Sequence, residues 1–262
     1  MTATLPVRLA IPAQVQDLID AGALFAVNNS GGKDSQAMLA LLRQVIPARQ
    51  LLVVHAYLEG EEWPGVEDHV RAMSAGLDLV IARPVKTFEQ MVERRGMFPS
   101  PRQRQCTSDL KRGPIDREIR RYLAAHPEFG GKVVSVQGQR AQESTDRAKL
   151  ATFKPNKRNS VAGRAWFDWL PIHALTVDQV FAVIAAAGQE PHWAYAAGMT
   201  RLSCMFCIMA SRADLATAAR LNPEAYRARV QLERRVGHTI NMEGRPLEQV
   251  TGIAAAPAPL AA

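Results

Sequence analysis

The stretch that decides the predicted fold is Asn29-Ser30-Gly31-Gly32-Lys33-Asp34-Ser35 (NSGGKDS). It follows the apolar run 24–27, which is typical of a buried strand, and it precedes the run QAMLALL, which is typical of a helix. Glycines at such a turn let the backbone approach a ligand closely, and the backbone amides at a helix N-terminus attract anions. The stretch therefore predicts a phosphate-binding loop between a strand and a helix.

Strand-like and helix-like segments alternate on both sides of this loop. The strand-like apolar runs are 24–27, 51–58, 79–85 and 132–136, and the helix-like segments are 35–45, 66–75, 88–94 and 114–125. Such alternation predicts an α/β, Rossmann-like fold with a mostly parallel sheet and helices on both faces. Ligands of these sheets bind at the carboxyl ends of the strands, where the loop lies.

The second half of the sequence has a different character. Residues 149–164 are basic, polar and poor in large apolar side chains, which is typical of an exposed loop. The sequence then predicts a helix with Thr176 at its N-cap and a helical region over 212–236. We expect a nucleotide-binding core over 1–150, a basic exposed loop over 151–165, a helical C-terminal region over 166–250 that packs on the core, and a flexible Ala/Pro tail over 251–262.

Composition places the chain in the globular class. Its 262 residues are 47% hydrophobic and 22% charged, and no apolar run approaches the roughly 20 residues that span a bilayer. The N-terminal stretch lacks the basic and apolar regions of a secretory signal, so we expect a cytoplasmic protein without a membrane partner. An odd count of three cysteines argues against a disulfide framework. The net charge of +7 favours polyanionic partners.

Four motifs carry a resemblance to known enzymes. The loop has neither Walker A nor dinucleotide-binding spacing. It resembles the PP-loop, SGGxDS, of the adenine nucleotide alpha-hydrolase-like superfamily, which grips the pyrophosphate of ATP. The segments EGEEWPGVED (59–68), CTSDLKRGPI (106–115) and GQRAQESTDR (138–147) are similar to motifs of the phosphoadenosine phosphosulfate reductase-like branch, which includes DNA phosphorothioation sulfurtransferases. The resemblance covers roughly residues 23–210.

The resemblance implies a nucleotide site. Its expected nucleotide-binding residues are Ser30, Gly31, Gly32, Lys33, Asp34, Ser35, Gly138, Arg140, Glu143 and Arg147. Lys33 would supply a point charge to the phosphates of ATP, and Asp34 would help hold Mg²⁺, so both are expected to be catalytic. An alternative for the motif at 138–147 is that Glu143 forms a surface ion pair with Arg140 and Arg147.

The three cysteines have a second expected role. Cys204 and Cys207 form a C-x-x-C, and Cys106 lies far upstream. In the reductases that the chain resembles, four thiolates hold a 4Fe-4S cluster; here Cys106 takes the first place of the upstream pair and Thr107 the second. The resemblance implies a cluster with three protein thiolates and one open iron, with Cys106 also catalytic. A zinc site completed by His192 or His238, and three inert thiols, remain open alternatives.

Cations crowd around Cys106 in the sequence. They are Arg94, Arg95, Arg102, Arg104, Lys111, Arg112, Arg117, Arg120 and Arg121. Such a group suits a nucleic acid, although charged runs are often only a solvated surface. The aromatic residues Phe153, Trp166, Phe167 and Trp169 suit stacking on bases or, equally, a place in the core.

The leading hypothesis is an ATP-dependent iron-sulfur sulfurtransferase that adenylates a nucleic acid, DNA or tRNA, and inserts sulfur. It would need ATP, Mg²⁺, a 4Fe-4S cluster, and a cysteine desulfurase or other sulfur donor. It could act as a homodimer or in a multi-protein complex. The alternatives are a sulfonucleotide reductase or ATP sulfurylase-like enzyme, and a non-catalytic nucleotide-binding subunit of a modification complex. No cysteine follows Cys207 in this sequence, which weakens the reductase hypothesis.

Overall fold

The computed structural model describes residues 5–255, and these form two compact units. The first unit comprises Met1–Ala56, Gly65–Ala82 and Ile115–His192, and the second comprises Tyr57–Pro64, Arg83–Pro114 and Trp193–Ala262, as far as each is described. Both units are therefore discontinuous in sequence. No helix within 5–255 is long and apolar enough to cross a bilayer.

A six-stranded sheet forms the centre of the first unit. Its strands are β1 (Leu24–Asn28), β2 (Leu51–Ala56), β3 (Asp78–Ala82), β4 (Lys132–Gln137), β5 (Phe153–Pro155) and β6 (Ala165–Trp169). Their order is β3-β2-β1-β4-β6-β5, and only β5 runs antiparallel to its neighbour. Asn28 lies opposite Val54 of β2 and Gln137 of β4. The loops that follow β1 and β4 therefore leave the same edge of the sheet.

Helices accompany the strands of the first unit. They are α1 (Ala13–Asp20), α2 (Lys33–Leu42), α3 (Val66–Met73), most of α5 (Gly113–Ala125), α6 (Thr145–Ala148) and α7 (Val177–Ala186). Thr176 caps α7 through a capping box with Gln179, as the sequence predicts. The mostly parallel α/β fold is confirmed.

Alternate residues of the central strands pack on opposite faces of the sheet. On one face, Leu24 and Ala26 of β1 join a cluster with Leu52, Val54, Ile119, Leu123 and Trp166. On the other face, Phe25 meets Trp169 of β6 edge to face, with ring centroids 6.2 Å apart. Because β1 and β2 are buried on both faces, both read as nearly continuous apolar runs.

The second unit is mostly helical and confirms the helical C-terminal part. Its α-helices are α4 (Phe88–Arg95), α8 (Arg212–Leu221), α9 (Pro223–Val236) and α10 (Leu247–Thr251), and a π-helical segment, Cys106–Arg112, leads into α5. Helix α9 contacts α4, α8 and α10. Arg229 of α9 forms a buried ion pair with Glu61, and its guanidinium lies 4.5 Å from the centroid of the Phe88 ring.

The structure divides the second half of the chain differently from the sequence expectation. Residues 151–165 contain β5 in addition to exposed turns, and residues 165–169 form β6, so the sheet continues beyond residue 150. A three-residue edge strand with Lys154 and Pro155 shows no apolar alternation, because its outer side faces no partner. Part of the expected tail is ordered, since the Tyr226 hydroxyl donates to the Ile253 carbonyl at 2.6 Å. Residues 256–262 of that tail lie outside the described residues.

Two tryptophans that were candidates for base stacking belong to the core. Trp166 and Trp169 each expose 1% of their surface. They face opposite sides of β6, so each is covered by one layer of the first unit. Phe153 and Phe167 are half-buried and stack on each other, with ring centroids 5.5 Å apart. The stacking role is therefore wrong for the tryptophans, because the sheet continues through β6.

We predict that Gly131→Ala destabilises the first unit more than Gly130→Ala. Both glycines have positive φ, which costs an alanine about 1–2 kcal/mol. Only at Gly131 would the added Cβ also overlap a backbone atom, the carbonyl oxygen of Gly163; at Gly130 it meets open space among the described residues. Urea unfolding of both variants measures the difference. Equal free energies of unfolding for the two variants would contradict this packing.

Candidate functional site

The predicted loop connects β1 to α2. The strand ends at Asn28 and the helix begins at Lys33, with Gly32 at the N-cap. No described side chain caps this helix, and the amides of Asp34 and Ser35 donate no hydrogen bond within residues 5–255. Unsatisfied amides at a helix N-terminus and the positive end of the helix dipole are suited to bind phosphate oxygens.

A side chain that the sequence analysis did not single out holds the loop in place. Asn29 is 2% exposed, and its Oδ1 accepts hydrogen bonds from the Gly31 amide at 2.9 Å and from the Ser35 hydroxyl at 3.0 Å. Gly31 has φ +76°, a conformation that favours glycine. The Gly31 amide is thus used inside the loop, whereas the sequence analysis assigned Gly31 to the nucleotide. An Asn directly after a strand is a turn signal that could have identified this role.

Asp34 lies between two cations. Its Oδ1 is 2.5 Å from Nε of Arg140, and its Oδ2 is 3.3 Å from Nζ of Lys33. Arg140 and Lys33 are buried, with 3% and 5% exposed, and Arg140 also donates to the Leu175 carbonyl at 3.3 Å. Two buried cations therefore flank the Asp34 carboxylate at the start of α2.

Gly138 brings the loop after β4 against the phosphate-binding loop. A Cβ at this position would lie 3.2–3.3 Å from the Asp34 carbonyl group and from the Ser35 amide nitrogen. That spacing is tighter than ordinary van der Waals contact, so a larger residue would displace the backbone at the start of α2. The glycine is therefore explained by this close approach.

Glu143 is connected to the loop through Arg140, and Arg147 is connected to it through Glu143. Glu143 Oε2 accepts a hydrogen bond from the Arg140 amide at 2.9 Å and forms an ion pair with Arg147 one helical turn later. Arg147 is linked to Arg140 only through Glu143. The structure therefore joins Gly138 and Arg140 directly to the loop, and contact of Glu143 and Arg147 with a nucleotide stays a prediction.

The three cysteines are half-buried thiols of the second unit, and none is in a disulfide. Cys106 begins the π-helical segment, and the other two lie in the turns before α8. The charges of Cys106 and Cys207 interact, and the Met209 amide donates to the Cys207 sulfur at 3.4 Å. No group of three or more His, Cys, Asp or Glu side chains within 5–255 is placed to hold a single metal ion, so the zinc alternative gains no support. A 4Fe-4S cluster on the three thiols stays a prediction.

Lys111 lies among these thiols. Burial alone would lower its pKa, but the charges of Cys204 and Glu62 and a hydrogen bond to Cys204 raise the pKa above its ordinary value, which keeps the ammonium protonated. Burial raises the pKa of Cys204 to about 12; Lys111 opposes this rise, and Glu62 adds to it. Burial also raises the pKa of Cys106. Lys111 favours the deprotonated form of both thiols, but desolvation has the larger effect.

The strand, the glycine loop, the Asp34–Arg140 pair and the three thiols occur together in one chain. Residues 25–210 match the family model of the phosphoadenosine phosphosulfate reductase domain. This chain belongs to that family. The match includes the PP-loop and all three cysteines, so both groups of residues lie within the family domain.

Two curated relatives are themselves uncharacterised. One is a 37.8 kDa protein of Escherichia phage 186, 30% identical over 67% of this chain and 53% of its own length. The other is a protein of Methanocaldococcus jannaschii, 24% identical over 82% of this chain and 49% of its own length. This chain therefore spans about half the length of these relatives.

Solved structures show more distant similarity. The phosphoadenylyl-sulfate reductase of Candida auris is 13% identical, with a TM-score of 0.41 over 76% of this chain and 98% of that chain. The FMN adenylyltransferase of Candida glabrata is 14% identical, with a TM-score of 0.45 over 74% of this chain and 63% of that chain. Similarity at this level does not extend to activity.

We predict that Arg140→Ala weakens ATP binding about tenfold, because a charge-assisted contact is lost at the anion site and Asp34 loses a partner. Arg121→Ala is the matched control, since Arg121 is exposed and pairs only with Glu118. Calorimetric titration with ATP gives both affinities, and thermal unfolding shows whether each variant is folded. An unchanged ATP affinity in the Arg140 variant would show that the Asp34–Arg140 pair has only a structural role.

Proposed function

We propose that this chain is an ATP-dependent sulfurtransferase that adenylates a nucleic acid and inserts sulfur. The observation that carries the proposal is the intact PP-loop, with Lys33, Asp34 and Arg140 gathered at the N-terminus of α2. Family membership adds a nucleotide-handling domain to this geometry. The acceptor, the sulfur donor and the reaction itself belong to the proposal.

Binding of ATP would use the groups at the N-terminus of α2. The amides of Asp34 and Ser35 and the two buried cations would donate hydrogen bonds to the phosphate oxygens. Phosphate oxygens would then compete with the Asp34 carboxylate for Lys33 and Arg140. Asp34 would thereby become available to Mg²⁺, which prefers carboxylate and phosphate oxygens.

The proposed reaction is redox-neutral. An oxygen of the acceptor attacks the α-phosphorus of ATP, the bond to the bridging oxygen breaks, and pyrophosphate leaves. A hydrosulfide sulfur then attacks the adenylated acceptor; where a cysteine desulfurase is the donor, an external dithiol first reduces its persulfide to hydrosulfide and is itself oxidised to a disulfide. The new bond to sulfur replaces the bond to oxygen, and AMP leaves with that oxygen. Lys33 and Arg140 would stabilise the charge that develops on the departing pyrophosphate.

Cys106, Cys204 and Cys207 would hold a 4Fe-4S cluster. Their soft donor atoms suit iron, and Lys111 would offset negative charge on thiolates once they are ligated. With three protein thiolates, such a cluster would supply one iron for binding sulfur.

The proposed acceptor is a nucleic acid because of the charge of the segment 83–114. This segment holds eight lysines and arginines against three acidic residues. Arg94, Arg102, Arg104 and Arg112 form no ion pair within residues 5–255 and are exposed. Cations without acidic partners are suited to neutralise backbone phosphates.

The second candidate is reduction of a sulfonucleotide, which family membership favours directly. The two reactions differ in their nucleotide and in their products. A sulfurtransferase consumes ATP and releases pyrophosphate, whereas a reductase releases sulfite from phosphoadenosine phosphosulfate in the presence of a dithiol. Parallel assays of pyrophosphate and sulfite with the same preparation decide between them.

We predict that Asp34→Ala and Asp34→Asn each lower pyrophosphate release from ATP at least about a hundredfold, because the metal-ligating charge is lost. Asp20→Ala is the control, since Asp20 is exposed at the end of α1 and accepts only from Gln16. A coupled phosphate assay with inorganic pyrophosphatase measures the rates. Release at the parental rate in both Asp34 variants would show that Asp34 has no role in the release of pyrophosphate from ATP.

We also predict that Cys106→Ser, Cys204→Ser and Cys207→Ser each lose iron and visible absorbance after anaerobic reconstitution. ATP affinity should stay within about twofold of the parent, because the cysteines are not among the residues proposed to bind the phosphates. Ser203→Ala, beside Cys204, serves as the control and should keep its iron. Iron contents equal to the parent in all three variants would contradict the proposed ligands.

A further inference from the structure

Two cavities of the second unit share part of their lining and have no role in the chemistry above. The first, of about 320 Å³, lies among the residues that follow α4 and α9, and is lined in part by Arg95, Met97, Phe98, Gln103, His238 and Met242. The second, of about 480 Å³, is lined by Arg95, Gln103, Arg104, Gln105 and Ser108. Arg95 and Gln103 line both, so one ligand could occupy the two together.

The first cavity carries unsatisfied polar atoms. Nη1 of Arg95 and Nδ1 of His238 are buried and have no hydrogen-bond partner within residues 5–255. The other terminal nitrogen of Arg95 donates to Gln103 Oε1 at 2.8 Å, which fixes the guanidinium. Burying a polar atom without a partner is costly, so a side-chain rotation that turned these two atoms toward a ligand would supply the hydrogen bonds they lack.

The same cavity has flat and adaptable apolar walls. Phe98 is 2% exposed and lies beside the His238 ring, with ring centroids 6.3 Å apart. Met97 and Met242 expose 42% and 46% of their surface, which is unusual for large apolar side chains. Methionine adapts to the shape of a bound group, and its sulfur favours aromatic rings. Apolar walls with polar atoms among them suit a planar heterocycle such as a nucleobase.

The second cavity suits an anion. Two of its five lining residues, Arg95 and Arg104, are cations, and Gln103, Gln105 and Ser108 add polar groups. No acidic side chain is among the described residues that line it, and Arg104 is exposed without an ion pair. Gln105 and Ser108 donate to the Asp109 carboxylate at 2.9 and 2.8 Å, so the guanidinium groups of Arg95 and Arg104 are the groups of this cavity that would bind a phosphate.

We propose that the two cavities bind one nucleotide unit of a single-stranded nucleic acid, with the base in the first and its phosphate in the second. This inference rests on the proposed function, for which it supplies the place where the acceptor strand is held. A strand is favoured over a mononucleotide because Arg94, Arg102 and Arg112, which are near Arg95 and Arg104 in sequence, are exposed and unpaired within residues 5–255 and can neutralise flanking phosphates.

The experiment is equilibrium binding of a fluorescein-labelled, mixed-sequence 12-nucleotide single strand to the full chain, without ATP, followed by anisotropy at several salt concentrations. Arg95→Gln should weaken binding about tenfold and reduce the salt slope by about one. Met242→Glu should also weaken binding about tenfold, because it places a carboxylate on an exposed wall of the base cavity. The matched control is Arg220→Gln, which removes an exposed charge of α8 outside both cavities and should change affinity less than about twofold.

Each outcome decides the inference. Selective weakening in the Arg95 and Met242 variants supports it, and either variant alone suffices if the other fails to fold. Equal weakening in all three variants would show general charge attraction and overturn it. If an equal concentration of a nucleoside monophosphate displaces the strand, the site binds a mononucleotide and the proposal of a single-stranded ligand is overturned. Absence of binding by the parent chain would also overturn it, while ATP affinity and the Asp34 variants would still test the nucleotide chemistry separately.

Discussion

The ion pair between Asp34 and Arg140 joins the two loops on which the nucleotide site depends. Residue 34 begins α2 after β1, and residue 140 follows β4, more than one hundred residues later in the sequence. The pairing of β1 with β4 brings these loops to one edge of the sheet, and Gly138 permits their backbones to approach. Removing Asp34 would take from the buried Arg140 guanidinium the carboxylate that it pairs with. The phosphate-binding loop is therefore fixed by tertiary contact as well as by its own glycines.

The loop is also stabilised from within by a neutral side chain. Asn29 accepts hydrogen bonds from the amide of Gly31 and the hydroxyl of Ser35. Its backbone carbonyl accepts a hydrogen bond from Nδ1 of the buried His55 ring at 2.8 Å. These contacts order the loop before a ligand arrives. An ordered anion site loses less conformational entropy on binding than a mobile one, which favours affinity for ATP.

The second unit holds its charges in a different manner. Lys111 is placed among thiols and carboxylates, so its protonated form is favoured despite burial. Desolvation by burial raises the pKa values of the Cys106 and Cys204 thiols. Ligation to a soft metal would reverse the protonation of these thiols, because a metal favours the thiolate. The ammonium would then face negative charge without any movement of the backbone.

Local pattern was sufficient for most of the elements. The apolar runs at β1, β2, β3 and β4 and the capping box at Thr176 are encoded by neighbouring residues, so sequence reading located them. The sequence did not predict β5, whose three residues include a lysine and a proline. It also did not show whether Trp166 and Trp169 are buried in the core or exposed on the surface. Strand pairing at an edge and burial on a sheet depend on partners that are distant in sequence.

The sequence by itself determined the PP-loop, the alternation of strands and helices from β1 to β4 and the family, because each is carried by residues adjacent along the chain. Only the tertiary structure decided which groups meet. It showed that Arg140 and Lys33 share Asp34, that Asn29 holds the loop, that Lys111 lies among the thiols, and that Arg95 and His238 line one cavity with unsatisfied atoms. The physical reason is that charge pairing, desolvation and hydrogen bonding act over a few ångströms in space, whereas a sequence motif records only proximity along the backbone.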